Sequence, residues 1–145
     1  MNIAASDPSP RQDLAEQAPE LLQTLFAPWV QDLNLEVLSA SEGVARLRLP
    51  FNQRLCRQGG TVCGQALMAA ADTAMVFAIS SLFGEFRPMT TVSLNTSFMR
   101  AVAAGDVLLI AEVRKPGKSL MFGNIDMQGG DGKTVAQVTT TYMMM

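Results

Sequence analysis

The strongest constraint on the fold is the segment between Thr61 and Gly84, in which nearly every residue is small or apolar. Its apolar residues follow helical spacing from Val62 onward, a run of alanines raises helix propensity, and Gly84 is a natural stop. Because apolar residues surround this predicted helix instead of forming one stripe, the helix should be buried on most sides. The chain has 145 residues, the usual size of one domain, so the remaining residues must enclose the helix.

Strand patterns flank the predicted helix on both sides. Residues 33–49 predict extended structure with a turn at Ser41-Glu42-Gly43, and Pro50 ends it. After the helix, segments rich in Gly, Asp, Lys and Pro separate further strand-like runs. These runs are Met89–Met99, Val107–Arg114, Leu120–Met127 and Thr134–Tyr142. Such short connectors predict an antiparallel meander.

The order of elements predicts an α+β protein in which one antiparallel sheet wraps around a long central helix. A further helix is predicted over residues 13–26, with Pro19 as a candidate break. Residues 1–12 are small and polar and are predicted to form a flexible N-terminal tail, which leaves residues 13–145 as a single domain.

Composition excludes several classes of function. The chain contains no histidine, which removes Ser-His-Asp and Cys-His nucleophile systems, HExxH zinc sites and any histidine base. Its net charge is −2 with no basic cluster, which argues against nucleic-acid binding. Two cysteines are too few for a secreted disulfide scaffold, and no signal peptide or membrane-spanning stretch is evident. We therefore expect a cytoplasmic protein with no metal, no cofactor, no nucleic-acid partner and no membrane partner.

Asp72 is the one charged residue within the predicted buried helix. An ionised carboxylate there is costly unless it is paired or hydrogen-bonded, so one interpretation is a structurally satisfied side chain. The other is a carboxylate at the edge of a cleft that acts as a nucleophile or base. The residue alone does not decide between them.

A glycine-containing segment, residues 59–64, precedes the helix. Glycines allow close approach to the backbone, and free amides at a helix start bind negative charge. One interpretation of the segment is therefore an oxyanion hole, and the alternative is a plain turn without a function. Gly64 and Asp72 lie eight positions apart, roughly 12 Å along one helix. A single carbonyl cannot be within ~3 Å of both. If both residues are functional, they must meet across a two-fold interface between subunits.

The segment Gly60-Thr61-Val62-Cys63-Gly64-Gln65, with Asp72 eight residues after Gly64, resembles the hotdog-fold acyl-CoA thioesterases of the phenylacetate-degradation (PaaI-like) type. These proteins carry G-T-V-H-G-G at the start of the central helix and an Asp or Glu at the later position. Two downstream segments, residues 91–106 and 132–142, are similar to the family's strand after the helix and its final hairpin and strand. The resemblance covers about residues 33–142 and implies a hotdog fold that forms a homodimer or a homotetramer, as a dimer of dimers.

The resemblance also implies roles for individual residues. The Gly64 amide would polarise a thioester carbonyl, and Asp72 of the other subunit would attack that carbonyl or activate water. Thr91 falls where relatives place a Ser or Thr that positions the water or the carboxylate, although an ordinary strand threonine is the alternative.

The chain departs from the family pattern beside these positions. Cys63 replaces the motif histidine and Gln65 replaces the second glycine. Relatives often have Asn or Gln seven residues before the key glycine, where this chain has Arg57, with Gln58 adjacent and Asn52 further back.

Other residues are candidates for substrate binding. Cations at a pocket rim would bind the coenzyme A nucleotide. Candidates for that rim are Arg100, Arg114, Lys115 and Lys118. Candidates for the acyl side, which serve equally well as core residues, are Met68, Met75, Phe77 and Met89.

The sequence therefore predicts hydrolysis of an acyl-CoA thioester, with an aryl or medium-chain acyl group, at a site shared between two subunits. The alternative is a hotdog module that binds acyl-CoA without catalysis, which the substitutions at Cys63 and Arg57 motivate. A hydratase of the same fold is disfavoured, because those enzymes pair a histidine with a carboxylate.

Overall fold

The computed structural model describes residues 13–145, so the predicted tail over residues 1–12 lies outside the described residues. The strands are β1 (Glu36–Ser41), β2 (Val44–Leu49), β3 (Met89–Phe98), β4 (Val107–Pro116), β5 (Leu120–Gln128) and β6 (Thr134–Met144). The helices are α1 (Ala18–Leu25), α2 (Pro28–Gln31) and α3 (Gly64–Ser81), with short 3-10 helices at Leu14–Glu16 and Gln53–Leu55. All six strands form one antiparallel sheet in the order β1-β2-β4-β5-β6-β3.

Helix α3 lies across one face of the sheet and contacts β1 to β5. Most of its residues are buried, as the all-round apolar pattern predicts. The less buried residues form one narrow stripe that consists of Gly64, Gln65, Met68, Ala69, Asp72 and Val76. The predicted α+β architecture, with an antiparallel sheet around a long central helix, is confirmed. Met75 and Phe77 are fully buried and belong to the hydrophobic core.

The helix begins two residues later than the apolar spacing suggests. Val62 precedes it and forms an isolated bridge with Cys56, while its amide donates to the Val102 carbonyl. Cys63 is extended (φ −70°, ψ 151°) and is the residue before the first turn. The predicted inclusion of Val62 in the helix is wrong, because tertiary hydrogen bonds hold its backbone in an extended conformation.

The helix predicted over residues 13–26, with Pro19 as its candidate break, is interrupted at Gln17 instead. The chain forms a 3-10 turn that ends at Gln17 and then begins α1 with Pro19 in its first turn. Proline is suited to that place because it has no amide hydrogen to donate. The Asp13 carboxylate accepts hydrogen bonds from the amides of Ala15 and Ala40 and thereby ties this segment to β1.

The first hairpin agrees with the sequence pattern. Strands β1 and β2 are joined by Glu42 and Gly43, both with positive φ (51° and 83°). Positive φ at both central residues is the geometry of the tight turns that match the twist of paired strands. Strand β2 ends at Leu49, immediately before Pro50.

The four later strands lie within two residues of their predicted bounds, but they do not form one meander. Strands β4, β5 and β6 are joined in that way, whereas β3 pairs with β6 and not with β4. The connection between β3 and β4 crosses the end of the sheet, where the Arg100 amide donates to the Val135 carbonyl. This connection has turn residues, Gly105 among them, but is long enough to pass two strands.

Candidate active site

Asp72 lies near the middle of α3 on its less buried stripe, where the helix faces β3 and β6. Its carboxylate oxygen Oδ1 accepts a hydrogen bond of 2.8 Å from the Thr91 hydroxyl of β3. No Lys or Arg side chain within residues 13–145 forms an ion pair with it. The structure therefore brings together two of the residues that the sequence singled out.

Tyr142 is a third member of this cluster that sequence reasoning missed. Its phenol oxygen lies within hydrogen-bonding distance of Asp72 Oδ1 and 2.7 Å from the Asp72 carbonyl oxygen. The ring is fully buried, and burial together with the nearby Asp72 carboxylate raises the pKa of Tyr142 far above its usual value. Tyr142 is the chain's one tyrosine, and a buried phenol needs a partner, which was the signal available in the sequence.

Gly64 is the first residue of α3 and lines a cavity of about 400 Å³. Its amide donates to no protein acceptor among residues 13–145, as expected for a first-turn N–H group. The Phe98 ring of β3 lies against it, and a Cβ atom at this position would be 3.1 Å from Phe98 Cζ. Glycine thus keeps the backbone accessible at the positive end of the helix dipole.

Two predicted cationic residues, Arg57 and Arg100, line the same cavity as Gly64. Arg57 is exposed, and its side chain donates to the Gln58 carbonyl at 3.1 Å. Arg100 lies at the start of the connection that crosses the sheet end, and it also borders a second cavity beside the turn between β5 and β6. Of the four predicted rim cations, Arg100 lines this cavity, whereas Arg114, Lys115 and Lys118 are not part of its lining. The second guanidinium group, that of Arg57, stands where relatives often have Asn or Gln.

The remaining predicted residues lie at different distances from this cavity. Cys63 directly precedes α3 with a half-buried free thiol, and Gln65 is exposed in the first turn. The Asn52 side chain accepts from the Arg54 amide at 2.9 Å and caps the short 3-10 helix. Gln58 is exposed, and its side chain is not part of the cavity lining.

Lys118 lies far from Arg57 and Arg100 within one chain. It belongs to the turn between β4 and β5, where the Met144 amide at the end of β6 donates to Ser119. Arg100 contacts the start of β6 instead. Strand β6 spans 11 residues, so the two cations are separated by roughly 30 Å.

The two groups that could take part in a reaction, the Asp72 carboxylate and the Gly64 amide, thus lie at opposite ends of β3. Asp72 is held at the beginning of the strand through Thr91, and Gly64 lies at its end against Phe98. Residues 13–145 contain no cluster of three metal-ligating side chains. In the same region no helix has the length and apolar character to cross a membrane.

An antiparallel sheet packed against one long helix, with this strand order, is the architecture of the hotdog fold. The thioesterase superfamily model matches residues 59–136, more than half of the chain. The chain therefore belongs to the thioesterase superfamily.

Individual relatives agree with this assignment. A protein of Thermoplasma volcanium, provisionally named an esterase, is 30% identical over 129 residues, which cover 85% of this chain and 93% of the relative. A conserved protein of Pseudomonas aeruginosa superposes with a TM-score of 0.78 at 30% identity, covering 85% of this chain and 98% of the other. The PaaI protein from the phenylacetic acid degradation operon of E. coli has the same TM-score at 21% identity and covers 91% of this chain and 96% of its own. The predicted resemblance to PaaI-like hotdog thioesterases is confirmed.

Proposed function

We propose that this chain hydrolyses acyl-CoA thioesters at a site built from two copies of itself. In this proposal Asp72 of one subunit supplies the carboxylate and the Gly64 amide of the other polarises the thioester carbonyl. The observation that carries the proposal is that α3 holds both groups. The Asp72 carboxylate in its middle is oriented by hydroxyl groups of β3 and β6, and the amide at its start has no acceptor among residues 13–145. Membership of the thioesterase superfamily supports the reaction class.

Helix geometry requires the second copy. Gly64 and Asp72 are separated by eight residues of one helix, which is roughly 12 Å along its axis. A carbonyl under attack must lie about 3 Å from both the oxyanion donor and the attacking atom. One chain does not meet this condition, so a complete site needs Gly64 and Asp72 from different subunits.

Strand β3 offers the surface through which a second copy would bind. It is an edge strand of 10 residues without a charged side chain, and Val92 and Phe98 on it are more than half exposed. The other edge strand, β1, is shorter, contains a bulge and is contacted by α1 and the preceding 3-10 helix. Proteins protect exposed edges with charge, bulges or cover, and a long uncharged edge is suited to strand pairing.

Antiparallel pairing of two β3 strands would place the two halves of the site together. A two-fold axis between Leu94 and Asn95 sets Thr91 of one subunit opposite Phe98 of the partner subunit. Since Thr91 contacts Asp72 and Phe98 contacts Gly64, the carboxylate of one subunit then faces the amide of the other. The dimer contains two equivalent sites, and a tetramer would be a dimer of such dimers.

The chemistry follows from this juxtaposition. The Gly64 amide and the helix dipole stabilise negative charge on the thioester oxygen. Asp72 either attacks the carbonyl carbon or accepts the proton of a water molecule that attacks it. When water attacks, the carbon–sulfur bond breaks, the carboxylic acid is released, and the coenzyme A thiolate takes the proton that Asp72 accepted. When Asp72 attacks, the same bond breaks and leaves a mixed anhydride on Asp72; water then hydrolyses the anhydride, which frees the carboxylic acid, restores Asp72 and supplies the proton for the thiolate. Neither route requires histidine, which the chain lacks.

The nucleotide part of the substrate would bind at the rim. Arg57 and Arg100 beside Gly64 are suited to phosphate groups because guanidinium groups form paired, charge-assisted hydrogen bonds. Lys118 lies at the Asp72 end of the sheet, so in the proposed dimer it approaches the site from the other subunit. The acyl group in this proposal is an aryl or medium-chain group.

We also propose that the protein is cytoplasmic. The thiols of Cys56 and Cys63 are free, which agrees with a reducing compartment.

A second candidate function is acyl-CoA binding without hydrolysis. Two observations favour it: Cys63 stands in place of the family's motif histidine, and Arg57 stands where relatives often have an amide side chain. A binding module would keep the cavity and its cations but would not depend on Asp72.

The test is hydrolysis of aryl-, short-, medium- and long-chain acyl-CoA by the wild type and by Asp72→Asn. We expect one substrate class to be preferred and kcat to fall by about 10²–10⁴-fold in the variant. Asp126→Asn is the matched control, because Asp126 is another half-buried carboxylate with hydroxyl and amide partners but lies outside the site. Equal turnover by wild type and Asp72→Asn would contradict the mechanism. Tight acyl-CoA binding without turnover would favour the binding module.

A further inference from the structure

Tyr142 links the last strand of the sheet to the centre of α3. It lies on the inner face of β6 and is 1% exposed, so packing fixes its ring. Its register partner on β3 is Thr91, and both side chains point to Asp72. The phenol therefore reaches the carboxylate from the core, whereas Thr91 reaches it from the exposed edge strand.

The phenol has one proton and two acceptors within reach, the Asp72 carboxylate and the Asp72 carbonyl. Donation to the carboxylate is favoured, because a hydrogen bond to an ionised acceptor is about twice as strong as one between neutral groups. Burial and the Asp72 charge raise the pKa of Tyr142, so the phenol keeps its proton and remains a donor at neutral pH.

Both hydroxyl groups donate to the same oxygen of Asp72. Thr91 and Tyr142 each contact Oδ1, while Oδ2 accepts no hydrogen bond from any residue in the described part of the chain. Two donors on one oxygen fix the plane of the carboxylate and leave the other oxygen for chemistry.

We propose that Tyr142 is a positioning residue that fixes the Asp72 carboxylate so that Oδ2 is its reacting oxygen. The inference rests on the proposed function, since it assigns Tyr142 a part in the same reaction. The Tyr142 phenol donates to Asp72 and acts through it. Loss of the phenol leaves Thr91 as the one donor to Oδ1 among residues 13–145, which lets the carboxylate turn. Misorientation of Oδ2 should lower kcat and leave KM unchanged.

The experiment compares kcat and KM of Tyr142→Phe with those of the wild type at neutral pH. Phenylalanine keeps the ring and removes the hydroxyl. We expect kcat to fall about tenfold and KM to stay the same.

Thr140→Val is the matched control. It removes another buried hydroxyl from the inner face of β6, one that donates to the Ser93 carbonyl at 2.7 Å and does not touch Asp72. It should lower the midpoint of thermal unfolding without changing kcat. If both variants lower kcat equally, Tyr142 is merely structural and the inference is overturned.

A second readout separates this inference from the proposed function. The side-chain carboxyl carbon of Asp72, observed by NMR at neutral pH, reports the Tyr142 contact without substrate. A change in its chemical shift in Tyr142→Phe that Thr140→Val does not produce supports the contact between Tyr142 and the carboxylate even if the wild type hydrolyses no thioester, a result that would contradict the proposed function alone. An unchanged chemical shift in Tyr142→Phe overturns the inference even if the wild type is an active thioesterase.

Discussion

Asp72 shows how a charged residue is accommodated within a nearly apolar helix. A carboxylate in that position costs free energy of folding unless its charge is stabilised. Here the stabilising groups are the hydroxyls of Thr91 and Tyr142, with no ion pair to Lys or Arg within residues 13–145. Hydroxyl donors orient the carboxylate without cancelling its charge, which leaves it usable as a nucleophile or a base.

The sequence predicted part of this cluster for a clear physical reason. Asp72 stands out because it is the one charge in its helix, and the family resemblance indicates Thr91. Tyr142 was missed because it is 70 residues from Asp72 and meets it only in one register of β6. A slip of one residue would turn the phenol to the other face of the sheet, and sequence periodicity does not fix that register.

Replacement of Gly64 by proline tests the backbone amide at the scale of one residue. Proline is tolerated at the first helical position, and the preceding Cys63 already has the extended backbone that proline requires. The substitution removes the N–H group, so we expect kcat for thioester hydrolysis to fall by about 10²–10³-fold.

Gly64→Ala is the control for this change. Alanine introduces the same Cβ contact with the Phe98 ring, which is half exposed and can turn aside, but it keeps the amide hydrogen. It should retain most of the wild-type kcat. Similar activities for the proline and alanine variants would show that the amide takes no part in the reaction.

At the scale of elements, local sequence patterns predict where the strands lie but not every pairing between them. The β4, β5 and β6 runs and the first hairpin could be predicted because side-chain alternation and turn residues are local signals. The place of β3 could not, because its connection to β4 has the residues of a turn but crosses two strands. Backbone hydrogen bonds hold that crossing: the Val62 amide donates to the Val102 carbonyl, and the Met99 and Arg100 amides donate to the Val135 carbonyl. No local pattern encodes these contacts.

The contact of α3 with the sheet depends on Gly123 of β5. A Cβ atom there would be 2.6 Å from Met75 Cε and 2.8 Å from the Glu112 carbonyl oxygen. Since one of these neighbours is backbone, Gly123→Ala should destabilise the protein by about 1–3 kcal/mol. Urea unfolding at fixed protein concentration measures this. Gly130→Ala, which meets no atom within 4 Å, is the control and should unfold at nearly the wild-type midpoint.

At the scale of the whole molecule, the division of the site between the two ends of β3 is the central feature. One chain carries the hydrogen-bonded Asp72 carboxylate and the accessible Gly64 amide, and these two groups are eight residues apart on the same helix. The exposed, uncharged β3 edge provides the surface that would join them to their counterparts. The sequence predicted the need for a second subunit from helix geometry, whereas the surface for it emerges only once β3 is seen to lie at the edge of the sheet.

The most direct test of the shared site is to mix two inactive variants, Asp72→Asn and Gly64→Pro, unfold them together and refold them. Random pairing makes half of the dimers hybrid, and each hybrid has one intact site, composed of Asp72 from one chain and Gly64 from the other. We predict recovery of roughly a quarter of wild-type thioesterase activity. Each variant refolded alone should stay inactive. A refolded mixture no more active than the two separate variants would contradict the account, because it would mean that each chain carries a complete site or none.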